Sequence, residues 1–135
     1  MTSQIRRPSR PRRAAAAATL LGLIAVAGTA VPAAAAEVER EKRGTCSANA
    51  RWELSLEKEH GRIEVSIEID TFRSGRAWDV RAWHDGVRFV NVTRTTDREG
   101  EIDLDRVRRD TAGSDTISFR ATSSTGEVCT GRLVI

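Results

Sequence analysis

Apolar and polar residues alternate with period two over most of the chain beyond residue 45. Cys46, Ala48, Ala50, Trp52, Leu54 and Leu56 hold even positions, with Arg51, Glu53, Ser55 and Glu57 between them. After a turn at Lys58-Glu59-His60-Gly61, Ile63, Val65, Ile67 and Ile69 continue the pattern on odd positions. Such alternation puts one face of an extended strand in a core and the other in water, so the two runs predict paired antiparallel strands. The turn sets their register, with Leu56 facing Val65, Leu54 facing Ile67 and Trp52 facing Ile69.

A third strand has Trp78, Val80 and Ala82 on its apolar side and Asp79, Arg81 and Trp83 on the other. An Asp85-Gly86 turn returns the chain as a fourth strand from Val87 to Thr95. The facing of that strand stays open, because Phe89 lies on one parity and Val90 and Val92 on the other. A fifth strand, 101–105, turns Ile102 and Leu104 inward, and a sixth, 116–122, turns Ile117, Phe119 and Ala121 inward. After Ser124-Thr125-Gly126 a seventh offers Cys129, Gly131, Leu133 and Ile135. No amphipathic helical stretch of useful length interrupts them, so residues 46–135 are expected to form one all-β domain, a seven-stranded antiparallel sandwich.

The N-terminal third changes the electrostatic picture. Residues 1–13 carry five arginines and no carboxylate, 14–31 are apolar, and Ala34-Ala35-Ala36 supplies small residues before Glu37. Charged, apolar and cleavage regions in that order are expected of a secretory signal peptide spanning 1–36, with export and no membrane attachment after cleavage. Of 22 Lys and Arg, five would leave with it, so 17 cations would face 19 Asp and Glu and the net charge would turn from +3 to −2. A general nucleic-acid binder needs a cationic surplus, so no nucleic-acid partner is expected. Residues 37–45 alternate in charge sign and read as a charged flexible lead.

Export also gives the two cysteines a meaning. Cys46 and Cys129 lie near the two ends of the expected domain, both on inward parity, and an oxidising compartment permits one disulfide between them.

Thr96-Asp97-Arg98-Glu99-Gly100-Glu101-Ile102, then Ala112-Gly113-Ser114-Asp115-Thr116-Ile117-Ser118-Phe119, then Ser124-Thr125-Gly126-Glu127 resemble the final strands of bacterial immunoglobulin-like or fibronectin-III-like domains. The chain is also similar to small secreted actinobacterial proteins with one cysteine near each end and a Trp in the third strand. Ile117 departs from the family pattern, which has an aromatic there. The resemblance implies an Ig-like sandwich and no activity, because such folds host many unrelated functions.

Few residues offer chemistry. His60 and His84 each fall in a predicted turn without a second His or a Cys at metal-ligand spacing, so both are expected as exposed turn residues and no metal or cofactor is expected. His84 beside Asp85 makes no triad fragment, since no nucleophile motif accompanies it. The acidic run Asp97, Glu99, Glu101, Asp103, Asp105 lacks a full calcium-loop pattern and reads as a solvated strand edge. No enzymatic activity is expected.

Sorting the outward residues by sheet separates charge. On immunoglobulin-like topology the first, second and fifth strands share an acidic face: Glu53, Glu57, Glu64, Glu68, Asp70, Glu101, Asp103 and Asp105, relieved by Arg51 and Arg62. The other four strands carry Arg81, Trp83, Arg88, Arg94, Arg120 and Arg132, with Asp79 among them. Arginines around an indole suit an anionic partner, a protein or a cell-envelope polymer, through charge-assisted hydrogen bonds and stacking, and the two faces also allow weak self-association. The plainer alternative is that Trp83 lies flat under Arg stems as surface packing. A different class of function is an inhibitor of extracellular proteases presenting the loop 71–76, Thr-Phe-Arg-Ser-Gly-Arg.

Overall fold

The structure, a computed structural model, describes residues 37–135; the expected signal peptide at 1–36 lies outside the described residues. Eight strands follow one another: β1 (Val38–Thr45), β2 (Arg51–Glu59), β3 (Arg62–Asp70), β4 (Ala77–His84), β5 (Val87–Thr95), β6 (Glu101–Arg109), β7 (Thr116–Ser123) and β8 (Val128–Val134). They pair antiparallel into two four-stranded sheets, in the orders β1-β2-β3-β6 and β5-β4-β7-β8. No helix occurs among the described residues.

The seven expected strands are present, with the expected division between sheets, but the first begins at Arg51 rather than Cys46, leaving Ala48 exposed in a bend, and the fifth runs on from 105 to Arg109. The register of the first two expected strands, β2 and β3, is the expected one. Trp52 faces Ile69, Leu54 faces Ile67 and Leu56 faces Val65. Both turns that join neighbours through two residues use left-handed backbone: His60 and Gly61 have φ of 49° and 74°, Asp85 and Gly86 of 48° and 81°. Two consecutive positive φ values match the right-handed twist of the flanking strands, which is why a hairpin closes so tightly there.

The eighth strand corrects the expectation of a flexible lead. Residues 38–45 form β1, paired along the whole of β2 from Val38 opposite Lys58 to Thr45 opposite Arg51. Hydrophobic alternation could not reveal it, because an edge strand gains its hydrogen bonds through the backbone and both of its sides remain largely in water. The period is carried by charge sign instead: Glu39 and Glu41 fall on one side, Arg40 and Lys42 on the other. Gly44 is the one place where β1 approaches the core closely, since a Cβ there would lie 2.5 Å from the Trp52 ring.

The inner faces of the two sheets share one core, with Leu54, Leu56, Ile63, Val65, Ile67, Ile69, Ile102 and Leu104 meeting Trp78, Val80, Ala82, Val90, Ile117, Phe119 and Ala121. Trp52 stands edge-on to Phe119, with ring centroids 5.3 Å apart and planes at 78°, a favoured arrangement for the ring quadrupoles. Cys46 and Cys129 are joined in a disulfide across a sequence separation of 83. The bond fits an oxidising compartment.

Trp78 is fully buried, Trp52 nearly so, and Trp83 only half-buried. Replacing Trp78 or Trp52 by Ala is therefore expected to cost about 3 to 5 kcal/mol, through lost transfer energy and the cavity left behind. Trp83→Ala should cost well under half of that, and urea melts of the three variants would check the ranking.

Candidate functional site

The outer face of the β5-β4-β7-β8 sheet is built by register. Arg81 lies directly opposite Arg120 on β7 and opposite Asn91 on β5, and the next outward row runs Arg88, Trp83, Ser118, Arg132. Five of the six residues expected on this face, Arg81, Trp83, Arg88, Arg120 and Arg132, thus share it. Arg94 does not.

A β-bulge explains both that exception and the open facing of the fourth expected strand. The β4–β5 register shifts between Ala82 and Trp83: Ala82 pairs with Val90 while Trp83 pairs with Arg88, leaving Phe89 as the extra residue. One unpaired residue reverses the parity of everything beyond it. Arg88 therefore keeps the outward side, Val90 and Val92 turn inward, and Arg94 comes opposite the buried Trp78. Phe89 packs against the core edge, where the Arg108 guanidinium lies over its ring at 4.9 Å.

Like charges directly opposite each other destabilise a strand pair, and Arg81 and Arg120 are such a pair. None of Arg81, Arg88, Arg120 and Arg132 forms a salt bridge among the described residues. The only carboxylate of that sheet's outer rows, Asp79, instead accepts a hydrogen bond from Thr93 at 2.6 Å. The face therefore presents free cations around a partly buried indole.

The opposite outer face repeats the arrangement with the sign reversed. One row runs Arg43, Glu53, Glu68, Asp103, the next Glu41, Ser55, Ser66, Asp105, and the next Glu39, Glu57, Glu64, Val107. Arg43 offsets part of the charge, 2.7 Å from Glu53 and 2.8 Å from Glu41. Crowding still shows in the protonation equilibria: partial burial and then the neighbouring Asp103 and Glu53 push the Glu68 carboxyl above its ordinary value. The small Ser55 and Ser66 leave a groove of about 390 Å³ that runs on to the row of Glu39, Glu57, Glu64 and Val107, the last 57 % exposed.

The most elaborate polar chemistry lies at one end of the core, around a residue with no assigned role in the sequence pattern. Asp115 is fully buried between β6 and β7. Its Oδ1 accepts from the Thr111 backbone N–H at 3.1 Å and the Thr111 hydroxyl at 2.7 Å, and lies 2.7 Å from His84 Nε2; its Oδ2 accepts from Lys58 Nζ at 3.0 Å. Lys58 reaches Asp110 as well, at 2.6 Å. Burial alone would raise the Asp115 carboxyl, but hydrogen bonds from Thr111, His84 and Lys58 outweigh it and hold the group well below the usual carboxylate range. Hydrogen bonds to the two aspartates raise the Lys58 ammonium in turn.

His84 thus departs from the expected exposed turn residue: it ends β4 and is only 6 % exposed. The signal was its parity, shared with Trp78, Val80 and Ala82. His60 does sit exposed in its turn, beside Glu59. His84, Asp85 and Asp115 bring three donor atoms within 4.8 Å of one another. Asp115 already spends both oxygens on partners, one of them a cation, so the cluster reads as a closed hydrogen-bond network joining the two sheets rather than an open coordination sphere.

The loop 71–76 is braced without a local disulfide. Thr71 Oγ1 donates to Gly100 O at 2.9 Å, Thr96 Oγ1 to Arg73 O at 2.7 Å, and Arg76 N donates to Thr96 Oγ1 at 2.9 Å. Phe72 projects from it 58 % exposed, with a left-handed φ of 57°. That conformation interrupts the extended backbone by which a substrate-like segment adds a strand to a protease cleft.

Comparison of the chain with protein-family models, with curated proteins and with solved structures finds no match.

Proposed function

We propose that this protein is a secreted, non-enzymatic binding module with an immunoglobulin-like sandwich, and that the outer face of its β5-β4-β7-β8 sheet recognises an anionic cell-envelope polymer. The observation that carries this reading is the directly opposed, unpaired Arg81 and Arg120 beside Trp83. Two cations held together at a cost in stability find their counter-charges in a bound partner, and repeated anionic groups on a polymer supply them at little loss of rotational freedom per contact. Trp83 adds a surface for stacking. The strand order supports the Ig-like assignment, because β2, β3 and β6 share one sheet and β4, β5, β7 and β8 the other. The disulfide supports export.

An inhibitor presenting residues 71–76 is less well supported, since its loop is rigid but not extended at Phe72.

Retention on immobilised poly-glutamate and on cell-wall fractions tests the reading. Arg81→Glu and Arg120→Glu should each weaken retention by about tenfold or more at low salt, the worth of one lost charge-assisted hydrogen bond. Trp83→Ala should weaken it less, and raising the ionic strength should release the parent protein. Equal retention of parent and charge-reversed variants would reject the basic face as the site.

A further inference from the structure

The two outer faces match each other in spacing as well as in sign. On the basic face, Arg81 and Arg120 sit one strand apart, and Trp83 lies in the adjacent outward row. On the acidic face, Glu53 and Glu68 sit one strand apart, as do Glu57 and Glu64; Ser55 and Ser66 form the row between the two pairs, and the groove over them is lined by Glu57 and Glu64. Neighbouring outward rows are two residues apart in any strand, about 7 Å, and neighbouring strands are about 4.8 Å apart. A ring in the serine groove therefore brings two guanidinium groups over two carboxylates with no change of backbone on either side. The groove's volume of about 390 Å³ falls in the range of cavities that take a ligand group.

From this we infer that the partner of the acidic face is a second copy of this chain, docked through its basic face with Trp83 in the groove that Ser55 and Ser66 share with Glu57 and Glu64, one row from Glu53 and Glu68. Because the two surfaces differ, the contact is head-to-tail: each added copy leaves one acidic and one basic face free, and short open chains form rather than a closed dimer. Contact places one crowded carboxylate pair against the opposed arginines Arg81 and Arg120, so the repulsion within each of these two pairs is relieved at one interface. Its strength is limited by area. Four strands about 4.8 Å apart and about eight residues long give a face of about 19 by 27 Å, which puts the total buried surface near the 1,000 Å² typical of weak, reversible contacts. Association is accordingly salt-sensitive and concentration-dependent.

The inference rests on the basic face being a binding surface, and it makes an anionic polymer and a second copy competitors for the same arginines. Sedimentation velocity at about 20 mM and about 300 mM salt, where the screening length differs severalfold, tests it. The parent should show a sedimentation coefficient that rises with concentration at low salt only, and an excess of a short glutamate oligomer, too short to carry two copies, should return it to monomer. Glu64→Lys with Glu68→Lys, which sets each lysine opposite a glutamate of β2 and keeps the sheet paired, should sediment as monomer. Arg81→Glu should do likewise.

Mixing the two variants gives the decisive result, because one retains an intact basic face and the other an intact acidic face. A species of two chains, and nothing larger, should appear. A monomeric parent at low salt overturns the inference, as does association that persists in Glu64→Lys/Glu68→Lys or a mixture that stays monomeric. Poly-glutamate separates this from the preceding reading: a parent that binds it without self-associating leaves the basic face standing and removes only the second copy, whereas a parent that does neither removes both.

Discussion

Replacing Asp115 by Ala is expected to cost about 3 to 5 kcal/mol, because it leaves a charged Lys58 and a buried His84 without their acceptor at the point where the two sheets are joined. Lys58 belongs to β2, His84 to β4, and Asp115 to the segment that carries the chain from β6 to β7. Removing one member of such a network costs more than the net worth of any single bond in it, since the orphaned groups keep their desolvation penalty. Asp115→Asn keeps the volume and separates charge from packing.

The pH dependence has a definite sign at each end. The Asp115 carboxyl is held below its ordinary value, so its contribution is fully present above the unfolded pKa of about 3.9 and is lost as pH falls below that toward the lower folded value. The Lys58 ammonium is held above its ordinary value, so its contribution is present below about 10.4 and is lost as pH rises through the higher folded value. Urea melts at about pH 3 and pH 7 should show a smaller acid loss in Asp115→Asn than in the parent protein. An Asp115→Ala variant within about 1 kcal/mol of the parent would mean that the network does not hold the sheets together.

The second large effect belongs to the Cys46–Cys129 bond. Closing a loop across a separation of 83 residues removes enough freedom from the unfolded chain to be worth about 4.5 kcal/mol at 25 °C in the chain-entropy model. Net stabilities of single domains lie at about 5 to 15 kcal/mol, so the reduced protein should be marginal. Denaturant midpoints with and without reductant measure this, and intact mass before and after alkylation reports the bond itself. Cys129 is fully buried, so reduction should be slow until the fold opens, and faster in Asp115→Ala if that variant loosens the domain.

Strand pairing was legible wherever one face of a strand is buried and the other wet, because burial then imposes a period of two on the letters themselves. The register of β2 on β3 followed from that period and a two-residue turn. The burial of Trp52 and Trp78 followed from parity, as did the charge of each outer face from the residues left over. The pairing of Cys46 with Cys129 was equally legible, since the chain offers no other partner for either.

Three features depended on contacts that no local pattern records. Strand β1 buries almost nothing, so the letters of 38–45 carry no hydrophobic signal; only the free backbone edge of β2 makes them a strand. The bulge at Phe89 is one residue in length, and whether Arg88 or Arg94 keeps the outward side depends on where the partner strand absorbs it. Asp115 sits 31 residues from His84 and 57 from Lys58, and the three meet because the two sheets close over a core. Local alternation determines which side of a strand is wet. The union of distant polar groups is determined by tertiary packing, because the free energy of satisfying a buried charge exists only after the surrounding sheets have removed it from water.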